Sequence, residues 1–165
     1  MIRTARLTLR RALASDLAAF HAILTQPAAM RYWSEPEHET LRQTEDFLAT
    51  MVAHDPDQAD DFVVVLDGQV IGKAGAWHLP EVGFLIDPAH WRKGYAAEAM
   101  QAVIPHLFAR HQMPALTADA DPRNLASITL LTRLGFAETH RAERTIQWRD
   151  EWCDSVYFAL PRPER

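Results

Sequence analysis

The chain has 165 residues, 48% hydrophobic and 24% charged, ordinary proportions for a globular α/β fold that buries about 70% of its unfolded surface. A formal net charge of -5 and a pI of about 5.9, with Lys73 and Lys93 the only lysines, argue against nucleic acid as a partner, because phosphate neutralisation needs clustered cations. A single cysteine, Cys153, excludes an internal disulfide framework, and no run approaches the ~20 apolar residues that span a bilayer.

In chain order, Leu7 and Leu9 alternate with polar neighbours, which predicts an opening strand over residues 6–12. Ser15 is placed to cap a helix carrying Leu17, Phe20 and Leu24 on one face, and Pro27 falls where that helix should stop. The spacing from Thr40 to Gln43 suits a capping box. It opens a helix presenting Leu41, Phe47, Leu48, Met51 and Val52, ended by Asp55-Pro56-Asp57. The period then changes: Phe62 to Leu66, the pair Asp67-Gly68, and Gln69 to Gly72 read as a tight antiparallel hairpin.

Glu81 to Ile86 is a further predicted strand, closed by Asp87-Pro88. From Tyr95 to Ala109 the apolar residues recur at helical spacing. Pro105 lies inside that run, costs ~3 kcal/mol in a straight helix, and predicts a kink or an early end. Ala115 to Ala120 is a predicted strand; Asn124 then caps a helix with Leu125, Ile128, Leu131 and Leu134 facing inward, and Gly135 stops it. Phe136 to His140 and Val156 to Leu160 complete the strands, and residues 144–152 carry no assignment. No linker-like composition divides the chain, so one domain over residues 1–165 is expected. The N-terminus, with no apolar run for a signal peptide, gives a cytoplasmic reading.

The segment from Asp87 to Ala99 joins a strand to a helix through a short turn with Gly94 at its middle. The first N–H groups of a helix have no internal partner, and glycine permits positive φ, so this is anion-binding geometry. The helix dipole supplies about 0.3–1 kcal/mol and each hydrogen bond to a charged group about 1.5–3, so directed N–H groups dominate affinity. Arg92 and Lys93 add positive charge beside the turn and favour a phosphorylated ligand. Taken alone, the glycine spacing favours an ordinary left-handed turn with a surface Arg-Lys pair; it matches neither G-x-x-x-x-G-K-[ST] nor G-x-G-x-x-G.

The run Ile86-Asp87-Pro88-Ala89-His90-Trp91-Arg92-Lys93-Gly94-Tyr95-Ala96-Ala97-Glu98-Ala99 resembles the acetyl-CoA loop of the GNAT acetyltransferase superfamily, in its RimJ/RimL-type branch. The run from Asn124 through Ser127 to Gly135-Phe136 is similar to that family's next helix, and the likeness extends from Arg6-Leu7-Thr8-Leu9-Arg10 to Tyr157-Phe158-Ala159-Leu160. Trp91 stands where the superfamily's motif often has Gln or Arg. The resemblance implies a mixed α/β fold: a central, mostly antiparallel sheet of six or seven strands, splayed in the middle and flanked by about four helices. It implies acetyl-CoA as cosubstrate; separately, eight scattered histidines with no H-x-x-x-H pair or Cys/His cluster lead to no metal being expected. The diphosphate would be held by N–H groups of Arg92, Lys93, Gly94, Tyr95, Ala96 and Ala97, and the donor's thioester end by Phe84, Leu85 and Ile86. Asn124 would contact the pantetheine arm or a neighbouring backbone, and Ser127 would approach the sulfur as proton donor, a part that many members give to a tyrosine.

Acyl transfer to an amine needs a neutral amine, a site for the oxyanion and a proton for the leaving thiolate. Glu81, His78, His90 and Asp119 are placed near strand ends where they could relay the amine proton, with Glu81 ranked first. By resemblance Tyr32 and Trp33 form one wall of the acceptor cleft; by composition they suit core packing as well. Cys153 reads as structural rather than as an acyl-carrying nucleophile. The expected partner is an amine, on a protein N-terminus or a small molecule such as an aminoglycoside, amino acid or polyamine. The chain is expected to be a monomer or homodimer without membrane contact, and a catalytically silent CoA-sensing domain is the alternative from another class.

Overall fold

A computed structural model describes residues 1–165. Eight strands, β1 (Ile2–Arg3), β2 (Leu7–Arg10), β3 (Asp60–Leu66), β4 (Gln69–His78), β5 (Glu81–Ile86), β6 (Ala115–Ala120), β7 (Ala137–Trp148) and β8 (Glu151–Pro161), form one sheet in the order β1-β2-β3-β4-β5-β6-β8-β7. Every neighbouring pair is antiparallel except β5 and β6. Five helices accompany it: α1 (Leu17–Leu24), α2 (Pro27–Met30), α3 (Leu41–Val52), α4 (Tyr95–Arg110) and α5 (Leu125–Arg133). No helix is long and apolar enough to cross a membrane.

Strand alternation divides the apolar residues between two layers. Val63 and Leu85 pack with Phe20, Ile23, Leu24, Met30 and Leu48 from α1 to α3. Val64 and Ile71, on the opposite face, pack with Met100, Val103 and Leu107 of α4 and Leu131 of α5. Asp67 (φ 48°) and Gly68 (φ 80°) turn the β3–β4 hairpin, the two positive φ values that a two-residue loop of matching twist requires. The Thr40–Gln43 capping box and the Asn124 cap both form as expected.

The architecture is the mixed α/β one the sequence implies, with eight strands and five helices where six or seven and about four are expected. The difference has local causes. Two residues of β1 are too few to carry a period, and Pro27 does more than stop α1: at N1 of α2 its missing N–H costs nothing. Residues 144–152, without assignment in the sequence, continue β7 into β8 through a turn at Arg149 (φ 55°) and Asp150. β4 extends to His78, well past Gly72.

Several faces also differ from expectation. Ser15 does not cap α1; Asp16 accepts from the Leu13 N–H at 2.8 Å and pairs with Arg10. Leu41 and Val52, the first and last residues of α3, are exposed, while the buried stripe runs through Thr44, Leu48 and Met51. α4 continues through Pro105 to Arg110 with no early end; both Pro105 and Gln101, whose carbonyl loses its partner, lie on the exposed side. The side chain of Asp60 at the start of β3 is fully buried, with Arg11 at 2.5 Å and the Nε2 atoms of His106 and His111 at 3.0 and 2.9 Å. It ties the C-terminal end of α4 to the sheet.

The feature that positions the site is the join between β5 and β6. Their ladder has a single rung, Glu81 against Thr117, supported by the Thr117 N–H donating to Pro80 O at 3.0 Å. Beyond it β5 follows β4 and β6 follows β8, and the sheet opens.

Candidate active site

One lip of the opening is the turn from β5 to α4. The Asp87 N–H donates to Ile71 O at 2.7 Å, and its carboxylate accepts from the Ala89 N–H at 3.1 Å, starting one turn of 3-10 helix over Pro88–His90. Trp91 donates its indole N–H to Ile86 O at 2.7 Å, folding the turn back against the strand it left. Arg92 (φ 60°) and Gly94 (φ 81°), flanking Lys93, both stand in the left-handed region. Glu98 N–H is bonded to Gly94 O, which leaves the amides of Tyr95, Ala96 and Ala97 ahead of the first helical bond, and no side chain caps them.

Arg6, in the bend between β1 and β2, braces this turn. Its Nε donates to Glu98 Oε2 at 2.6 Å, its Nη1 donates to Lys93 O at 2.9 Å, and its guanidinium lies 4.4 Å from the Tyr95 ring centre. Thr4 Oγ1 and the Arg6 N–H donate to the other Glu98 oxygen at 2.6 and 2.8 Å. Burial opposes the charge on Glu98, but the hydrogen bonds from Thr4 and Arg6 outweigh it and hold the carboxyl below its ordinary range.

The opening continues into a cleft of about 1240 Å³. Glu81 and Asp119, the latter two residues along β6 from the rung partner Thr117, both line it. Burial pushes the Glu81 carboxyl up, Asp119 pushes it further by charge and by a shared hydrogen bond, and the Trp77 hydrogen bond and His78 act the other way without prevailing. On the α5 side, the Ser127 N–H donates to Asn124 Oδ1 at 3.3 Å and Asn124 Nδ2 donates to Ser127 Oγ at 3.0 Å. With its oxygen so engaged, the Ser127 hydroxyl keeps its own proton for a partner in the cleft.

The wall opposite comes from the α1–α3 side. Tyr32 lies between the guanidinium groups of Arg31 and Arg123, at 5.1 and 5.6 Å, and the β7–β8 tip reaches over to it: Trp148 donates to Met30 O at 3.1 Å and Arg149 pairs with Glu37. Deeper in, Lys73 Nζ sits 2.6 Å from Asp61 and 5.9 and 5.8 Å from the Trp33 and Phe47 ring centres. His54 lines the same end, and burial holds its imidazole below the usual range.

Phe84, Leu85, Ile86, Arg92, Gly94, Tyr95, Ala96, Ala97, Asn124, Ser127, Glu81, Asp119, His90, Tyr32 and Trp33 therefore all line one cleft. Lys93 and His78 do not: the Lys93 carbonyl is held by Arg6, and His78 is an exposed residue at the end of β4 beside the Trp77 ring. Leu125, expected to face inward, is 71% exposed and lines the cleft instead of the core. The sequence reading missed Lys73, Asp61, His54, Trp77 and the brace from Arg6. Lys73 carried one usable signal, a lone lysine in the middle of an apolar strand.

The sheet thus parts between two parallel strands, with open helix amides at one lip and two carboxyls inside the cleft. Residues 6–137 match the acetyltransferase (GNAT) domain. The chain is 30% identical to the uncharacterized N-acetyltransferase p20 of Bacillus licheniformis over 98% of its own length and 96% of that protein's. It is 29% identical to the Escherichia coli [ribosomal protein uS5]-alanine N-acetyltransferase, over 67% of this chain and 56% of that one. A crystal structure of a GNAT-family acetyltransferase from Bacillus anthracis superposes with a TM-score of 0.85 at 26% identity, covering 99% of both chains. The chain belongs to the GNAT acetyltransferase family and is an acetyl-CoA-dependent N-acyltransferase.

Proposed function

We propose that this protein transfers acetyl directly from acetyl-CoA to a primary amine that enters the cleft from the Tyr32–Trp33 side, either a protein N-terminal α-amine or the amine of a small molecule. The observation that carries the reading is the meeting, in one cleft, of an open amide turn at Gly94, a raised carboxyl at Glu81 and a hydroxyl at Ser127 with its proton free. The residues present fit the donor: three unpartnered helix amides and two left-handed residues suit a diphosphate, and β5 beyond Glu81 has no strand beside it on its open edge.

Acetyl-CoA, when bound, supplies an electrophilic thioester carbon and a thiol leaving group. A backbone N–H at Phe84 or Leu85 receives the oxygen charge that develops as the amine attacks. Glu81, through water, takes the amine proton; its raised affinity for protons suits an α-amine of pKa near 8 better than an ordinary carboxylate would. Ser127 gives its proton to the departing sulfur. The new bond is N–C, the broken bond is C–S, and the products are an amide and a free thiol.

Cys153 supports no covalent intermediate. Its thiol lies 3.5 Å from Arg123 Nη2 and 4.0 Å from Glu151 O, with no imidazole or carboxylate hydrogen-bonded to act as its base. The name of the uS5-alanine relative favours an α-amine acceptor. Calorimetric titration with acetyl-CoA, followed by thiol release across a panel of peptides and small amines, tests the proposal. Binding with no release for any amine points to a silent CoA-sensing domain and ends the transfer reading.

A further inference from the structure

We propose that Lys73 selects the acceptor, favouring an amine whose skeleton also carries a neutral hydrogen-bond-accepting oxygen, such as an amide carbonyl or a hydroxyl, over a polyamine or a carboxylate-bearing amine. This rests on the reading of the cleft as an amine acetylation site and deepens it.

Lys73 pairs with Leu85 in the β4–β5 ladder, and cross-strand partners share a face, so its side chain stands on the α1–α3 side, next to the strand assigned to the thioester oxygen. It is 4% exposed and lines the cleft. Burying an unpaired charge is costly; Asp61, 2.6 Å away, balances the one that Lys73 carries. The pair is therefore already neutral.

Charge is balanced but the hydrogen bonds are not. An ammonium has three N–H donors, and Asp61 supplies the only oxygen that the protein brings to Nζ. The Trp33 and Phe47 rings attract the cation through their faces without accepting a directed hydrogen bond in an oxygen's way. Asp61 is itself committed, with Oδ1 accepting from the Phe62 N–H at 3.2 Å. At least two N–H donors thus remain on a buried group that lines the acceptor end of the cleft.

Three kinds of group can meet those donors. A second ammonium, as on a polyamine, sets donors against donors. A carboxylate adds an uncompensated charge to a pair that is already neutral. An amide or hydroxyl oxygen accepts the hydrogen bonds and changes no charge. Burial makes the choice sharp, and a hydrogen bond to a charged donor is worth about a ten- to hundredfold difference in affinity.

The test uses the full chain loaded with CoA and titrates it calorimetrically with alanyl-alaninamide, alanyl-alanine and putrescine. Alanyl-alaninamide is expected to bind about ten- to a hundredfold more tightly than putrescine, and Lys73→Met to bring the ratio near one without altering acetyl-CoA affinity. Since Lys73→Met leaves Asp61 buried and unpaired, the double variant Asp61→Asn/Lys73→Met repeats the measurement with both charges removed. Putrescine binding as tightly as the dipeptide amide, equal loss on all three probes in both variants, or no binding of any probe at millimolar concentration overturns the proposal. Thiol release assayed with the same probes separates the two readings. Turnover without the preference removes Lys73 alone, and the preference without turnover removes acetyl transfer alone.

Discussion

Arg6 and Glu98, 92 residues apart in sequence, meet with Nε donating to Oε2 at 2.6 Å and the Arg6 backbone N–H donating to Oε1 at 2.8 Å. Because Arg6 also holds the Lys93 carbonyl, this pair fixes the turn in which Gly94 lies. Arg6→Ala is expected to raise KM for acetyl-CoA several-fold while kcat changes little. Steady-state kinetics checks this, and a matching loss in kcat would show that the brace acts beyond the donor turn.

Glu81 binds its proton more tightly than an ordinary carboxyl, through burial and then Asp119. A base must be ionised, so kcat/KM is expected to rise with pH through a limb displaced above the usual glutamate range. Asp119→Asn removes the raising charge and should move that limb to lower pH, as a pH–rate profile will show. Stability carries the same sign: the folded chain favours protonated Glu81, so this residue's contribution is full at low pH and is lost as pH rises through its raised value. Glu81→Gln should therefore melt higher than the wild type at neutral pH while kcat falls about a hundredfold or more.

Ser127 has its oxygen occupied by Asn124 and its proton free. Ser127→Ala is expected to lower kcat by about a hundredfold with acetyl-CoA affinity preserved. Rapid-mixing measurement of thiol release distinguishes loss of the chemical step from slower product departure.

Asp60 holds its proton loosely: burial opposes its charge, and His111 and Arg11 overcome that. Its stabilisation is present above the ordinary carboxylate value and is lost as pH falls through the lower folded value. Asp60→Asn is expected to cost about 3 kcal/mol at neutral pH, since Arg11 and both imidazoles lose their anion. Urea titrations at neutral and acid pH should show the gap between variant and wild type closing on acidification.

What the sequence disclosed about fold and site follows the range of the interactions involved. The Thr40–Gln43 box, the Asp67-Gly68 turn and the Asn124–Ser127 cap each close within four residues, and a local pattern encodes them. The Gly94 turn was legible for the same reason. Arg6 with Glu98, and Lys73 with Asp61, owe their meaning to chain neighbours that only the sheet brings together. Residues 144–152 were silent because Arg144, Gln147 and Arg149 lie exposed on an edge strand and its turn, where burial imposes no strict alternation. Leu125 misled for the opposite reason, being an apolar side chain that lines the open cleft and not the core.

The lone Glu81–Thr117 rung gives the molecule an unfinished interior edge. A guest rich in amide groups can lie there as a substitute strand, so occupancy mends the sheet as well as loading the enzyme. The empty chain should accordingly breathe most at this seam, and saturating donor should shield the amides of β5 from hydrogen exchange before those of any outer strand.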